Sequence, residues 1–282
     1  MDRRLARQII DHQKTEAVLH YPSAWSKMIQ EWSSAGNENC AWLLYSANYL
    51  LRTSSVRWAI DPITLRHRVP GAPEVPLSDL KNLSFVLLTH SHADHLDIGL
   101  LQALRFYPIR WVVPQPLLRQ VTVEAGISLE QIIIPEIGKI IDIDGLQILP
   151  FHGIHWQPGH TSVPATAYQV TFAGKRWLYP GDTRTYDPGL LPNFGELDGL
   201  FAHLWLGRGC ALSDQPPLLE DFCRFCLGFQ SQRVIVTHLK DLGREAEDYW
   251  ENRHYALVQD RLKQLSPNLA LSRAEMGDSV IL

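Results

Sequence analysis

An apolar run, Phe85-Val86-Leu87-Leu88, stops abruptly at Thr89-His90-Ser91-His92-Ala93-Asp94-His95-Leu96-Asp97. This junction constrains the chain more than any other stretch. A short apolar run of this kind reads as a buried strand. Three histidines and two aspartates then fall within eight positions. They lie on the loop or helix start beyond the strand's carboxyl end, where α/β folds place their sites. Neutral imidazoles and carboxylates are the ligands that borderline divalent metals prefer. His90 and His92 are spaced to grip one ion from the same side of a loop, and Asp94 and His95 to turn to a second ion beside it. Two ions about 3.5–4 Å apart share a hydroxide that is nucleophilic at neutral pH. A surface loop with chance histidines would account for neither this spacing nor the matching residues later in the chain.

With 282 residues, 45% of them hydrophobic, the chain has ample material for a core behind such a loop. Its net charge of −4 argues against a nucleic-acid surface, which wants a basic excess. The four cysteines, Cys40, Cys210, Cys223 and Cys226, are too few for a disulfide framework in a chain this long. Cys223 and Cys226, spaced C-x-x-C on an expected helix, read as small core residues. No run approaches the ~20 apolar residues of a membrane span, and no apolar signal region follows Met1–Arg7. The expectation is a soluble cytoplasmic protein with reduced thiols.

Residues 1–38 read as an N-terminal helical extension, with Leu5, Ile9, Ile10, Met28, Ile29 and Trp32 at helical spacing. Pro22 is expected to divide it into two helices, with Ser23 capping the second. The extension packs on the rest of the chain or, alternatively, serves as a lid or dimer contact. Strands are expected over 41–45 and 55–60, the latter ending at Asp61-Pro62. After the histidine loop come a helix from Asp97, a strand at Trp111–Val113, and a helix over 117–125. A hairpin turns at Asp144-Gly145. The strand from Leu146 to Ile154 then delivers His152, His155 and, past Pro158-Gly159, His160. A strand over 176–179 ends in Pro180-Gly181-Asp182-Thr183, another over 197–205 carries His203, and Val234–Thr237 ends at His238. A polar amphipathic helix is expected over 245–264.

Thr89–Asp97 resembles the T-H-x-H-x-D-H-x-D signature of the metallo-β-lactamase superfamily. The resemblance runs from about Trp42 to Leu282. It implies an α/β fold, a four-layer αββα sandwich, here a single domain over 1–282 with the helical extension in front. It also implies a one- or two-metal site along one edge. Asp61 would hold the first histidine loop by hydrogen bonds without binding metal. Gly181-Asp182-Thr183 resembles the motif of the aspartate that bridges the ions, and His238 resembles the final metal histidine. One further histidine ligand is needed between them. His155, followed by Trp156, resembles the phospholipase-like branch. His160, in Pro158-Gly159-His160-Thr161, resembles glyoxalase II-type hydrolases. His152 is the third choice, and those not used as ligands would line the pocket as proton donors. The order of connecting elements resembles the branch containing ascorbate-6-phosphate lactonases and N-acylphosphatidylethanolamine-hydrolysing phospholipases D.

The implied activity is that of a metal-dependent hydrolase acting on a phosphodiester or a lactone or ester, with a small-molecule or lipid-like substrate. His90, His92 and His155 would hold one ion, Asp94, His95 and His238 the other, with Asp182 between. Asp94 would also steer the nucleophile and carry its proton. His203 is either a substrate contact or general acid, or a satisfied, partly buried histidine. Lys240 and Arg244 are placed to face an anionic substrate. Two zinc ions suit the histidine-rich set, with manganese or iron as alternatives. The tRNA 3′-end nucleases of the superfamily carry a Gly/Lys-rich arm that this chain lacks. Two rival readings remain. One is a di-iron oxidoreductase on the same fold, although such relatives carry an acidic residue where this chain has His92. The other is a non-catalytic metal-binding module, although such members generally lose ligands.

Overall fold

The computed structural model describes residues 1–36, 38–155 and 162–282. In chain order it comprises helix α1 (Arg3–Ser33), strands β1 (Cys40–Leu43), β2 (Tyr49–Thr53) and β3 (Val56–Ile60), and helix α2 (Leu65–Arg68). Strand β4 (Phe85–Leu87), helix α3 (Ile98–Leu104), and strands β5 (Arg110–Val112), β6 (Ile132–Ile133) and β7 (Ile141–Ile143) follow. Then come β8 (Leu146–His152), β9 (Thr166–Phe172), β10 (Lys175–Tyr179), β11 (Gly199–His203), helix α4 (Leu219–Gly228) and β12 (Arg233–Thr237). Helix α5 (Asn252–Leu265) and strands β13 (Ala270–Ser272) and β14 (Ser279–Ile281) close the chain.

Among the described residues the strands form two sheets of seven, ordered β14-β1-β2-β3-β4-β5-β6 and β13-β12-β11-β10-β9-β8-β7. The central strands are apolar on both faces, so each sheet can be covered twice. Trp58, Phe85, Leu87 and Val112 of the first sheet meet Tyr168, Val170, Trp177 and Phe201 of the second. The alternate residues Ala59, Val86 and Trp111 face α1 and α3. Leu178, Leu200, Val234 and Val236 face α4 and α5, with Cys223 and Cys226 in that layer. The result is the αββα sandwich.

Pro22 does not divide the N-terminal segment: α1 is one helix of 31 residues with the proline inside. Ser23 caps nothing, and its hydroxyl donates back to the His20 carbonyl at 2.8 Å. Tertiary burial outweighs the local break. Tyr21, Trp25, Met28 and Trp32 lie on one buried stripe against the first sheet. A helical proline costs about 3 kcal/mol, whereas each large apolar side chain buried returns about 1.5–3 kcal/mol. Trp32 Nε1 also donates to the Leu51 carbonyl on β2 at 3.1 Å. The helix expected over 245–264 likewise starts later, at Asn252. Glu251 and His254 form a reciprocal cap there, with the Glu251 amide donating to His254 Nδ1 at 2.9 Å.

Strand direction positions the site. β3, β4, β5 and β6 run parallel, as do β10, β11, β12 and β13. β8 is antiparallel to β9, and β9 to β10, so β8 points the same way as β10. The carboxyl ends of β3, β4, β8, β10, β11 and β12 therefore bring Asp61, the histidine loop, His155, Asp182, His203 and His238 to one edge. Cross-sheet bonds close that edge. Tyr168 Oη donates to the Leu88 carbonyl at 2.6 Å, the Thr166 amide to the Thr89 carbonyl at 3.1 Å, and the His238 amide to the Ser46 carbonyl at 2.9 Å. No helix among the described residues is long and apolar enough to cross a membrane.

Candidate metal centre

Three groups of ligand-type side chains meet at this edge, and Asp182 belongs to two of them; the third is Asp61, His90 and His95. In the first, atoms of His90, His92, His155 and Asp182 all lie within 4.8 Å of one another. In the second, the same holds for Asp94, His95, Asp182 and His238. The two oxygens of Asp182 divide between its two groups. Oδ2 faces His155 Nε2 at 3.5 Å and His90 Nε2 at 3.9 Å. Oδ1 faces His95 Nε2 at 3.0 Å and His238 Nε2 at 3.9 Å. Gly181, at φ +67°, makes the turn that brings the carboxylate in immediately after β10.

Asp61 follows β3 at φ +44° and His238 follows β12 at φ +67°. Left-handed backbone at such residues costs about 1–3 kcal/mol and persists only where surrounding contacts enforce it. Here the contacts are visible. Asp61 accepts from the Thr89 amide at 2.8 Å, from the Thr89 hydroxyl, and from His95 Nδ1 at 2.7 Å. That last bond leaves His95 Nε2 turned toward Asp182. Asn48, which the motif reading passes over, donates to the Asp61 carbonyl at 2.7 Å and the Asp94 carbonyl at 2.9 Å. Asp97 caps α3, accepting from the Leu100 amide at 3.0 Å.

The electrostatics differ across the site. Burial drives His90 well below its ordinary pKa, with the neighbouring His95 adding to the effect. Burial and the adjacent His155 lower His92 to about 4. His95 moves the other way: burial disfavours its charge, but Asp182 and Asp61 on either side raise it well above the usual value. Burial also works against the charge on Asp182, yet His238 and His95 hold it well below the usual carboxylate range. Asp94 behaves alike, with His238 and His95 overcoming its burial.

His90 Nε2 and both ring nitrogens of His155 and His203 are buried with no hydrogen-bond partner among the described residues. Buried polar atoms are normally paired, and a cluster of imidazole nitrogens facing two carboxylates is the donor set a divalent ion would satisfy. These residues fit a metal centre.

Residues 57–239, more than half of the chain, match the family described as Beta-lactamase superfamily domain. The chain belongs to this superfamily. Solved structures agree on the fold. The chain is similar to Igni18, a metallo hydrolase from the archaeon Ignicoccus hospitalis, with a TM-score of 0.62 and 16% identity over 86% of this chain and 98% of that one. It is similar to the metallo-beta-lactamase fold protein YhfI from Bacillus subtilis, with a TM-score of 0.64 and 15% identity over 88% and 100% of the two chains. It is also similar to CmlA, a diiron beta-hydroxylase from Streptomyces venezuelae, with a TM-score of 0.63 and 17% identity over 89% and 55%. At these identities the likeness is one of fold. No curated protein matches the sequence.

All but one of the remaining sequence expectations have definite positions within this superfamily fold. His160 lies outside the described residues. His152 is exposed and borders a cleft beside His155. His203 is not a satisfied histidine: Nε2 lies 3.5 Å from Asp182 Oδ1, and its ring stacks on His95 at 5.6 Å. Burial, opposed by Asp182, lowers its pKa to about 3. Lys240 and Arg244 do not present their charges outward. Lys240 pairs with Glu275 at 2.6 Å, and Arg244 turns inward to Asp94 at 2.7 Å. Asp241, unremarked in the sequence, anchors this turn. It is 2% exposed and accepts from Tyr45 Oη at 2.9 Å, from Arg68 Nη2 at 3.1 Å and from Arg244 Nε at 2.9 Å. Its only sequence signal is an Asp-x-x-Arg spacing three residues after His238.

Proposed function

We propose that this protein is a hydrolase that uses two divalent ions, zinc in the first instance, to cleave a phosphodiester, lactone or ester in a small or lipid-like substrate. The observation carrying this reading is the division of the Asp182 oxygens, Oδ2 toward one group and Oδ1 toward the other. His90, His92 and His155 would hold the first ion, Asp94, His95 and His238 the second, and Asp182 would serve both. Bound there, the ions supply a water of near-neutral pKa and polarise the scissile carbonyl or phosphoryl.

The chain's own groups do the rest. His90 and His92, held neutral, keep their lone pairs available at neutral pH. Asp61 fixes the tautomer and direction of His95 through the Nδ1 bond. Asp94 is kept ionised, and its Oδ2 would take up a proton only after the contacts from Arg244 Nη2 at 2.7 Å and His238 Nε2 at 3.2 Å open. His203, neutral and unpaired beside Asp182, is placed to touch substrate. A cleft of about 230 Å³ lined by His152, Gly153, His155, Ser162, Val163, Pro164 and Ala165 admits a substrate portion from outside. It is below the usual ~300–1,000 Å³ of ligand pockets, which favours a compact reacting group, and His152 on its rim is available as a proton donor. The lactonase and phospholipase D-like branch supplies the substrate classes to try first.

The test is to load the metal-free protein separately with zinc, manganese and iron, count the bound ions, and assay phosphodiester, phospholipid and lactone panels. Turnover with about two ions bound supports the reading. Oxygen-dependent chemistry with iron and no hydrolysis would favour an oxidoreductase, and no metal uptake would end the hydrolase reading.

A further inference from the structure

The second ligand group already contains a cation. Arg244 Nη2 donates to Asp94 Oδ2 at 2.7 Å and lies 3.2 Å from His238 Nε2. Its side chain is 18% exposed. Two of the four residues in that group are therefore engaged by one guanidinium. His90, His92 and His155 of the first group have no such contact among the described residues.

A guanidinium and a metal ion compete for the same electrons. An imidazole nitrogen either carries a proton or offers one lone pair, so His238 Nε2 cannot coordinate an ion while it donates to Asp94 Oδ2, 3.2 Å away, or accepts from Arg244. Asp94 Oδ2 would have to serve two positive charges at once. Lysine could relieve such a conflict by losing its proton, but arginine cannot. The conflict is resolved by movement, and the chain provides for it. Arg244 has a second anchor, donating from Nε to Asp241 Oδ2 at 2.9 Å. Asp241 is held independently by Arg68, Tyr45 and the Gly243 amide. Arg244 can release Asp94 and His238 and remain tethered.

We propose that Arg244 is a resident cation of the second half-site. It holds Asp94 and His238 when no ion is bound there, and a second divalent ion enters only by displacing it. The centre then loads in order, the His90, His92, His155 and Asp182 group first. This inference rests on the reading of the site as a two-metal centre. It gives the protein a one-ion state at low metal and a two-ion state at high metal. It also makes Arg244 a positioning residue, in place of the substrate-binding role that its charge suggests.

The experiment is calorimetric titration of the metal-free full chain with zinc, with ions counted by elemental analysis after desalting. Wild type, Arg244→Gln and Arg244→Lys are compared, and near-ultraviolet circular dichroism reports their folding. The wild type should bind one ion tightly and a second roughly 10- to 100-fold more weakly, the range by which neighbouring groups tune metal affinity. R244Q should tighten the second ion by that factor and leave the first within about threefold. R244K, whose ammonium can lose its proton where the guanidinium cannot, should close part of the gap and fall between wild type and R244Q. A wild type that loads both ions with equal affinity overturns the proposal without recourse to any variant. So does a folded R244Q whose second affinity is unchanged or weaker. Both results leave the hydrolase reading standing. A wild type that takes up no zinc overturns the hydrolase reading and this proposal together.

Discussion

The two halves of the candidate centre share Asp182 but are built on opposite plans. The first is three imidazoles around Asp182 Oδ2, with buried ring nitrogens left without partners. The second is an internally neutralised network. Asp94 meets His238 and Arg244, and His95 is clamped between Asp61 and Asp182. Both halves keep buried atoms without a hydrogen-bond partner among the described residues, His90 Nε2 and both His155 nitrogens in the first, His95 Nε2, His238 Nδ1 and Asp182 Oδ1 in the second. The second differs in holding a guanidinium on Asp94, and an ion would have to displace it. Ligand identity alone, histidine and aspartate in both halves, does not show this difference. The residues behind the ligands create it.

Asp182→Ala strikes both halves and should have the largest effect. Both ions should be weakened together and turnover should fall by more than the roughly 10–100-fold typical of an outer-shell change. Elemental analysis and initial rates check this, and a variant that keeps full metal content and rate removes Asp182 from the junction. Single-half variants come next. His155→Ala should deplete the first ion and abolish turnover. His238→Ala should deplete the second while the first remains. His160→Ala should keep its metal and change only rate or KM. Loss of the first ion from H160A, with H155A unaffected, would reverse the assignment of the third histidine.

A smaller effect is expected from Asp61→Asn, which touches no ion in this reading but removes the charged acceptor that orients His95 and Thr89. Second-ion affinity should drop by about 10–100-fold, with little change in the first. An equal drop in both would mean that Asp61 supports the whole edge instead of one half.

The smallest effect concerns the metal-free protein and pH. His92 is lowered to about 4 in the fold, against about 6.5 in an unfolded chain. Between those values the unfolded state binds the extra proton, so this contribution to stability is present above pH 6.5 and is lost as pH falls toward 4. His95, raised in the fold, has the opposite sign: its contribution is full below pH 6.5 and fades as pH rises through its folded value. Thermal melts of chelator-treated protein across this range should show His92→Gln flattening the acid-side loss. Unchanged melting curves would mean that His92 is not held neutral.

What was legible in the sequence was local. The apolar run Phe85–Leu88, the histidine spacing after it, the Asp144-Gly145 turn and the Gly181-Asp182 strand end all follow from neighbours a few residues apart. The order of strands and their expected ends located the two groups that the structure assembles at one edge. The helical extension was legible as helix, but its continuity through Pro22 was not. That depended on Trp25 and Trp32 finding the face of a sheet formed later in the chain.

By itself the sequence determined which side chains with metal-binding chemistry stand at strand ends, because strand periodicity and turn residues are read over short distances. Only the tertiary structure decided how those ends face one another. The Asp94–His238 contact spans 144 positions and the Asp94–Arg244 contact 150, and no local pattern encodes either. Arg244 carries the same charge whether it faces solvent or a buried carboxylate. Its direction is set by Asp241, by Arg68 and Tyr45 behind it, and by the left-handed turn at His238 and Lys240. Those forces act only once the two sheets have packed, and they make one half of the site unlike the other.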